Sequence, residues 1–175
     1  MAEMDSSLEI LASDSSASRL EKMQDLMNRL GLTNIKTEVI DLAPAQAPAT
    51  SPQHSSLVSR LSSEAKFDRI LLDVPCSNMG VIARRPESVY RMTPESINEV
   101  AELQFKILEN ASAALAPGGR LVYATCSPDP TETTRVIARF VKAHPEFVKV
   151  GEPVLPGLKD SRLDGFFAQA LEYKK

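Results

Sequence analysis

The 175-residue chain contains no tryptophan, two cysteines, two histidines and seven glycines. It also lacks any run of 18 apolar residues, which excludes a membrane-spanning helix of ordinary type. Acids at Glu3 and Asp5 stand where a signal peptide would be basic and then apolar, so a cytoplasmic location is expected. Cys76 and Cys126 with His54 and His144 cannot build a four-ligand zinc site without carboxylates, and no metal is expected. The glycines, at 31, 80, 118, 119, 151, 157 and 165, fit neither a GxGxxG dinucleotide loop nor a P-loop. An excess of charge of either sign is missing too. With 20 Lys+Arg against 23 Asp+Glu the net charge is −3, so nucleic acid is not bound through bulk positive charge, and only a local patch remains open.

What is present is an ordinary globular composition, 43% hydrophobic and 25% charged. A chain of this length can bury roughly 70% of its unfolded surface in one domain without disulfide support. Leu8–Ala12 is a short apolar run ending at polar Ser13 and Asp14. Leu20, Met23, Met27 and Leu30 follow at helical spacing, with Ser16 or Ser18 as the cap and Gly31 as the stop. Ile35–Ile40 alternates and reads as a strand ending at Asp41. Residues 43–56 (APAQAPATSPQHSS) have no periodicity and read as a flexible Pro/Ala/Ser-rich loop within the domain. They suit a partner-binding arm or, more simply, a surface insertion, since loop length costs little free energy.

Phe67–Asp73 reads as an apolar strand. Thr93 caps and Pro94 opens a helix predicted to reach Leu115, with Pro117-Gly118-Gly119 as its C-terminal turn. Arg120–Thr125 is the next strand, a helix spans about 131–142, and short strands are predicted at 147–150 and 166–171. The alternation predicts an α/β fold with a mainly parallel sheet.

Ligands of such sheets bind beyond the C-terminal ends of the strands. Asp14, Asp41, Asp73 with Cys76, and Cys126 all fall at such ends. Carboxylates there accept hydrogen bonds from ribose hydroxyls or base amino groups. A thiolate there is a soft nucleophile, whereas a free thiol elsewhere is more often a small buried hydrophobe. Arg84, Arg85 and Arg91 form the densest basic patch, suited to phosphate or simply to a solvated turn. Neither His54 nor His144 has a neighbour pattern that assigns it a role.

Asp73-Val-Pro-Cys-Ser, Gly80-Val-Ile-Ala-Arg-Arg-Pro-Glu, Leu115-Ala-Pro-Gly-Gly-Arg-Leu-Val-Tyr-Ala-Thr-Cys-Ser-Pro and Asp164-Gly-Phe-Phe together resemble the Sun family of RNA (cytosine-5) methyltransferases, near its bacterial ribosomal RNA subgroup. The resemblance runs from about Leu8 to the C-terminus and implies a Rossmann-like S-adenosylmethionine-dependent methyltransferase fold. It implies Cys126 as the nucleophile on C6 of a cytosine, Cys76 as the group assisting release, Asp14 on the cofactor ribose, Asp41 on the adenine amino group, and Asp73 near the methionine end. Arg84 and Arg85 would meet RNA, ribosomal RNA in preference to transfer RNA. The family's first strand and glycine-rich cofactor loop would precede Met4, so the sheet is expected to lack its first strand. A missing N-terminal segment or a completing partner would supply it. The alternative is a non-catalytic RNA- or partner-binding remnant that cannot hold the cofactor. Asn78-Met79 replaces the glycine usual after Pro-Cys-Ser.

Overall fold

The computed structural model describes residues 5–43, 66–156 and 163–174. The Pro/Ala/Ser stretch 43–56, apart from Ala43, and with it His54, lies outside the described residues. Strand β1 (Ile10–Asp14), helix α1 (Ala17–Leu30) and strand β2 (Ile35–Val39) form a β-α-β unit whose strands pair in parallel, Ile10 opposite Ile35. Gly31 ends α1 at φ 66°, a left-handed conformation that costs glycine nothing sterically. Ser16 stands at the N-cap position, but its hydroxyl meets Ser18 Oγ at 3.0 Å and caps no backbone amide.

Strand β3 (Phe67–Asp73) begins a second sheet with β4 (Leu115–Thr125), β5 (Phe147–Val154) and β6 (Phe167–Tyr173) in the order β3-β4-β6-β5. β3 and β4 are parallel, and β6 runs antiparallel to both β4 and β5. Three of these four strands therefore point the same way, the mainly parallel arrangement expected. Helix α2 (Pro94–Ser112) carries the predicted start in full: Thr93 accepts from the Ser96 amide at 3.1 Å and Ser96 Oγ accepts from the Thr93 amide at 2.9 Å. Its buried face, Ala101, Phe105, Ile107, Leu108 and Ala111, packs with Leu121 and Tyr123 of β4 and with Val136, Ile137 and Phe140 of helix α3 (Thr134–Ala143).

One boundary differs from expectation. α2 stops at Ser112, and Pro117-Gly118-Gly119 lies inside β4 instead of capping the helix. The Phe67 amide captures the Ala114 carbonyl at 2.9 Å, so pairing with β3 begins at Leu115, whose side chain is 1% exposed. The register then slips between Phe67/Leu115 and Arg69/Arg120, and the surplus residues are absorbed where Gly118 takes φ 79°. Proline and glycine here make a strand irregularity, a role as open to them as a helix stop.

The two sheets are not hydrogen-bonded to each other. Leu11 and Ser13 of β1 and Phe67, Arg69, Ile70, Leu71 and Leu72 of β3 instead line a gap of about 130 Å³, together with Ile40, Asn110 and Ala111. The β1–β2 unit is tethered across it by the Asn110 side chain, which donates to the Leu42 carbonyl at 2.8 Å. Among the described residues, each face of the gap is a strand edge with no strand paired to it. A two-stranded unit with one helix is marginal by itself. Amides of β1 and β2 should therefore exchange with deuterium at least about tenfold faster than those of β4, as read by native-state exchange; equal protection would show one cooperative unit.

Candidate active site

Asp14 is the last residue of β1, Asp73 the last of β3, Asp41 lies just beyond β2, and Cys126 immediately follows β4. The parallel pairing of β3 with β4 puts Asp73 opposite Ala124, so the segments carrying Cys76 and Cys126 leave adjacent strands at the same end. There the thiols share a partner. Asn78 Oδ1 accepts from Cys126 Sγ at 3.4 Å and lies 3.9 Å from Cys76 Sγ. Both cysteines are free and half-buried. Asn78 occupies φ 64°, the left-handed region where glycine is usual, and asparagine is among the few other residues that tolerate it. The loop thus bends as a glycine would while adding an amide between the sulfurs.

Backbone hydrogen bonds also hold the Cys76 loop against two other segments. Gly80 donates to the Cys126 carbonyl at 2.9 Å, and the Gly165 amide donates to the Gly80 carbonyl at 2.8 Å. A Cβ on Gly80 would stand 1.8 Å from the Gly165 oxygen, so only glycine permits this approach. Asp164, in the same terminal segment, binds Arg84 at 3.2 Å. Arg84 therefore has a carboxylate partner, whereas Arg85 and Arg91 line a cavity of about 290 Å³ with Cys76, Ser77, Asn78, Glu87, Ser88 and Met92. Tyr90, between them in sequence, is 92% exposed.

Beneath both loops lies Glu132, with no exposed surface. Its Oε1 accepts from Ser77 Oγ at 2.5 Å and Ser127 Oγ at 2.7 Å, and its Oε2 from the Ser77 amide at 2.9 Å and Gln104 Nε2 at 3.1 Å. Ser77 and Ser127 each directly follow a cysteine. Gln104 also donates to the Pro75 carbonyl at 2.8 Å. The Tyr123 hydroxyl lies 2.7 Å from the Glu132 carbonyl and 3.0 Å from Gln104 Oε1, and burial with the Glu132 charge pushes it well above the usual phenol range. Thr125 Oγ1, one residue before Cys126, is buried without a partner. Sequence reading missed Glu132, Gln104 and the bridging role of Asn78. An acid two residues after Pro130, in the turn that follows Cys126-Ser127, is the one signal for Glu132.

The carboxylates are placed less uniformly. Asp14 accepts from the Ser16 amide at 2.7 Å and pairs with Arg19 at 3.1 Å. Asp41 accepts from the Ala43 amide at 2.9 Å. Asp73 is open to solvent on one side, yet burial on the other pushes its carboxyl above the ordinary aspartate range. Carboxylates at the ends of β1 and β3 and just beyond β2 are acceptors of the kind that ribose hydroxyls and amino groups donate to. No group of three or more metal-ligating side chains occurs among the described residues. His144 lies apart, between Glu109 at 3.3 Å and Glu146 at 3.2 Å and stacked on Phe140.

The family model described as 16S rRNA methyltransferase RsmB/F matches residues 1–169. The chain belongs to that family. It is 34% identical over 172 residues to the probable ribosomal RNA small subunit methyltransferase B of Bacillus subtilis (strain 168), covering 89% of this chain and 36% of the relative. It is 37% identical over 166 residues to ribosomal RNA small subunit methyltransferase B of Enterobacter sp. (strain 638), covering 90% and 35%. The chain thus spans about a third of the length of the curated relatives it matches. Its fold is similar to crystal structures of PH0851 (TM-score 0.75, 28% identity, 95% of this chain and 37% of that one) and of NSun6 from Pyrococcus horikoshii with SFG (0.72, 26%, 95% and 42%). The family is one of methyltransferases, with the Rossmann-like fold that its motifs implied.

Burial, reinforced by the neighbouring Cys76 sulfur and the Asp73 charge, pushes the Cys126 thiol up to about 12. The folded chain therefore keeps Cys126 protonated where the unfolded chain, with an ordinary thiol, has begun to ionise. Alkylation of Cys126 by iodoacetamide, followed by peptide mass spectrometry, should still be accelerating above about pH 10, beyond the ordinary thiol range. Cys76→Ala should shift that profile toward lower pH without restoring an ordinary thiol, because burial remains. A plateau near the ordinary thiol value of about 8.5 in the native chain would contradict this environment.

Proposed function

We propose that this chain carries the catalytic centre of an RNA (cytosine-5) methyltransferase acting on ribosomal RNA, using S-adenosylmethionine, in the cytoplasm. The observation that carries the reading is the convergence of two thiols on one asparagine oxygen at the ends of β3 and β4, beside Asp73. Cys126, its thiol proton given up to solvent, adds through Sγ to C6 of the target cytosine; the C5–C6 π bond breaks and C5 becomes nucleophilic. The cofactor, when bound, supplies the electrophilic methyl group. Asp14 and Asp41 would hold its ribose and adenine ends, and Asp73 would lie near its methionine end and the cytosine. After the C5 proton leaves, the C6–S bond breaks and the electron pair returns to Cys126, with Cys76 assisting release. The target base must be unstacked to reach the thiols, and the cavity at Cys76, Arg85 and Arg91 suits a nucleotide drawn out of its strand. No helix of the described residues is long and apolar enough to cross a membrane.

A second reading rests on the β1–β3 gap: without a strand pairing with both edges, the chain is an RNA- or partner-binding remnant with its cofactor site incomplete. A segment N-terminal to these residues or a partner strand would complete the sheet.

Cys76→Ala, given S-adenosylmethionine and ribosomal RNA, should accumulate a protein–RNA adduct that survives denaturing gels and disappears in Cys76→Ala/Cys126→Ala. Absence of any adduct with Cys126 intact favours the remnant. Replacing Arg84 and Arg85 by alanine should weaken RNA binding and lower the salt-dependence slope by about one for each phosphate that is no longer neutralised. An unchanged slope would leave Arg84 a partner of Asp164 alone and Arg85 without a phosphate contact.

A further inference from the structure

Glu132 belongs to neither the thiols nor the carboxylates assigned to substrate and cofactor, yet it is the most completely engaged polar group in the site. A carboxylate has about four lone-pair positions, and here four donors fill them. Those donors are neutral N–H and O–H groups, with no cation among them. An ion buried in this way is retained by its donors, and removing it leaves them unpaired. They come from three places: the Cys76 loop through Ser77, the Cys126 loop through Ser127, and α2 through Gln104. Gln104 in turn reaches Pro75, the residue before Cys76.

We propose that Glu132 is a positioning residue that sets the separation of the two cysteine loops, and through them the spacing of the Cys76 and Cys126 thiols. One carboxylate oxygen bridges Ser77 Oγ and Ser127 Oγ, so a shift of either loop must break a bond to the same atom. The other oxygen ties the Cys76 loop to a helix already fixed in the core. This deepens the catalytic reading above and rests on it for its meaning, although thiol spacing can be measured with neither RNA nor cofactor.

The geometry also separates charge from shape. The Oε2 side faces a backbone amide and a glutamine N–H that cannot turn into acceptors. The Oε1 side faces two hydroxyls that can. A glutamine at 132 can keep its carbonyl toward the first pair and donate its amide to the two hydroxyls, whereas leucine offers nothing to either.

The test is the effective concentration of Cys76 and Cys126 for each other, measured on the intact chain in glutathione buffers. Disulfide formation oxidises the two thiols and reduces one oxidised glutathione to two reduced ones, so the equilibrium ratio reports spacing directly. Glu132→Gln should stay within about threefold of the native chain, Glu132→Leu should fall at least about tenfold, and Ser127→Ala should lie between. Phe147→Ala in β5 is destabilised without touching either loop and should leave the ratio unchanged. Unfolding midpoints taken in parallel identify any variant that fails to fold; if Glu132→Leu does, the Ser127→Ala value decides. The proposal is overturned by a folded Glu132→Leu with native thiol coupling, by Glu132→Gln falling as far as leucine, by Ser127→Ala matching the native chain, or by a native chain that forms no disulfide at any ratio. Thiol coupling that follows the expected order while no RNA adduct forms would instead sink the catalytic reading and leave the positioning role standing.

Discussion

A carboxylate taken out of water persists in a fold only where donors replace the water it gave up, and Glu132 meets that condition with four. Its demand for donors from separate segments makes it a joint. The two cysteine loops leave parallel neighbouring strands, but parallel strands alone leave loops beyond their ends free to diverge. The serines after the cysteines close that freedom by sharing one oxygen. Tyr123, held as a permanent donor by burial, and Gln104 extend the same network into β4 and α2, so the site is anchored in the hydrophobic core and not merely set on top of it.

Packing without side chains completes the assembly. Gly80, Gly165 and the Cys126 carbonyl meet at distances that exclude a Cβ, which brings the terminal Asp164-Gly-Phe-Phe segment onto the Cys76 loop. That segment supplies the carboxylate for Arg84 and the buried Phe167, whose ring meets Tyr123 edge-on at 6.2 Å. The distant end of the chain thus borders the thiols, and Arg85 and Arg91, not Arg84, are left facing the cavity beside Cys76. The burial that places Cys126 also suppresses its ionisation. A nucleophile held as a thiol at rest depends on its surroundings, and above all on its burial, for when it becomes a thiolate.

The elements were legible wherever one face of a helix or strand is apolar. The Thr93-Pro94 start of α2, the Gly31 stop of α1 and the presence of α3 follow from local period and capping chemistry, which need no tertiary partner to be read. Pro117-Gly118-Gly119 was misread because the same residues serve a helix stop or a strand irregularity. The choice fell to the Phe67 amide, a partner 47 residues away from the Ala114 carbonyl it binds. β1 and β3 belong to separate sheets with a gap between them, an arrangement that local period alone does not reveal.

The chain's own order of residues determined the α/β alternation, the placing of Asp14, Asp73 and Cys126 at strand ends, and the two Cys-Ser pairs, since each is set by periodicity or by covalent neighbourhood. Tertiary structure alone decided that both thiols meet at Asn78, that Arg84 is taken by Asp164, and that Glu132 lies beneath both loops. Those are contacts between segments up to 80 residues apart, and their energies come from burial and donor geometry that exist only after the sheet has brought the strand ends together.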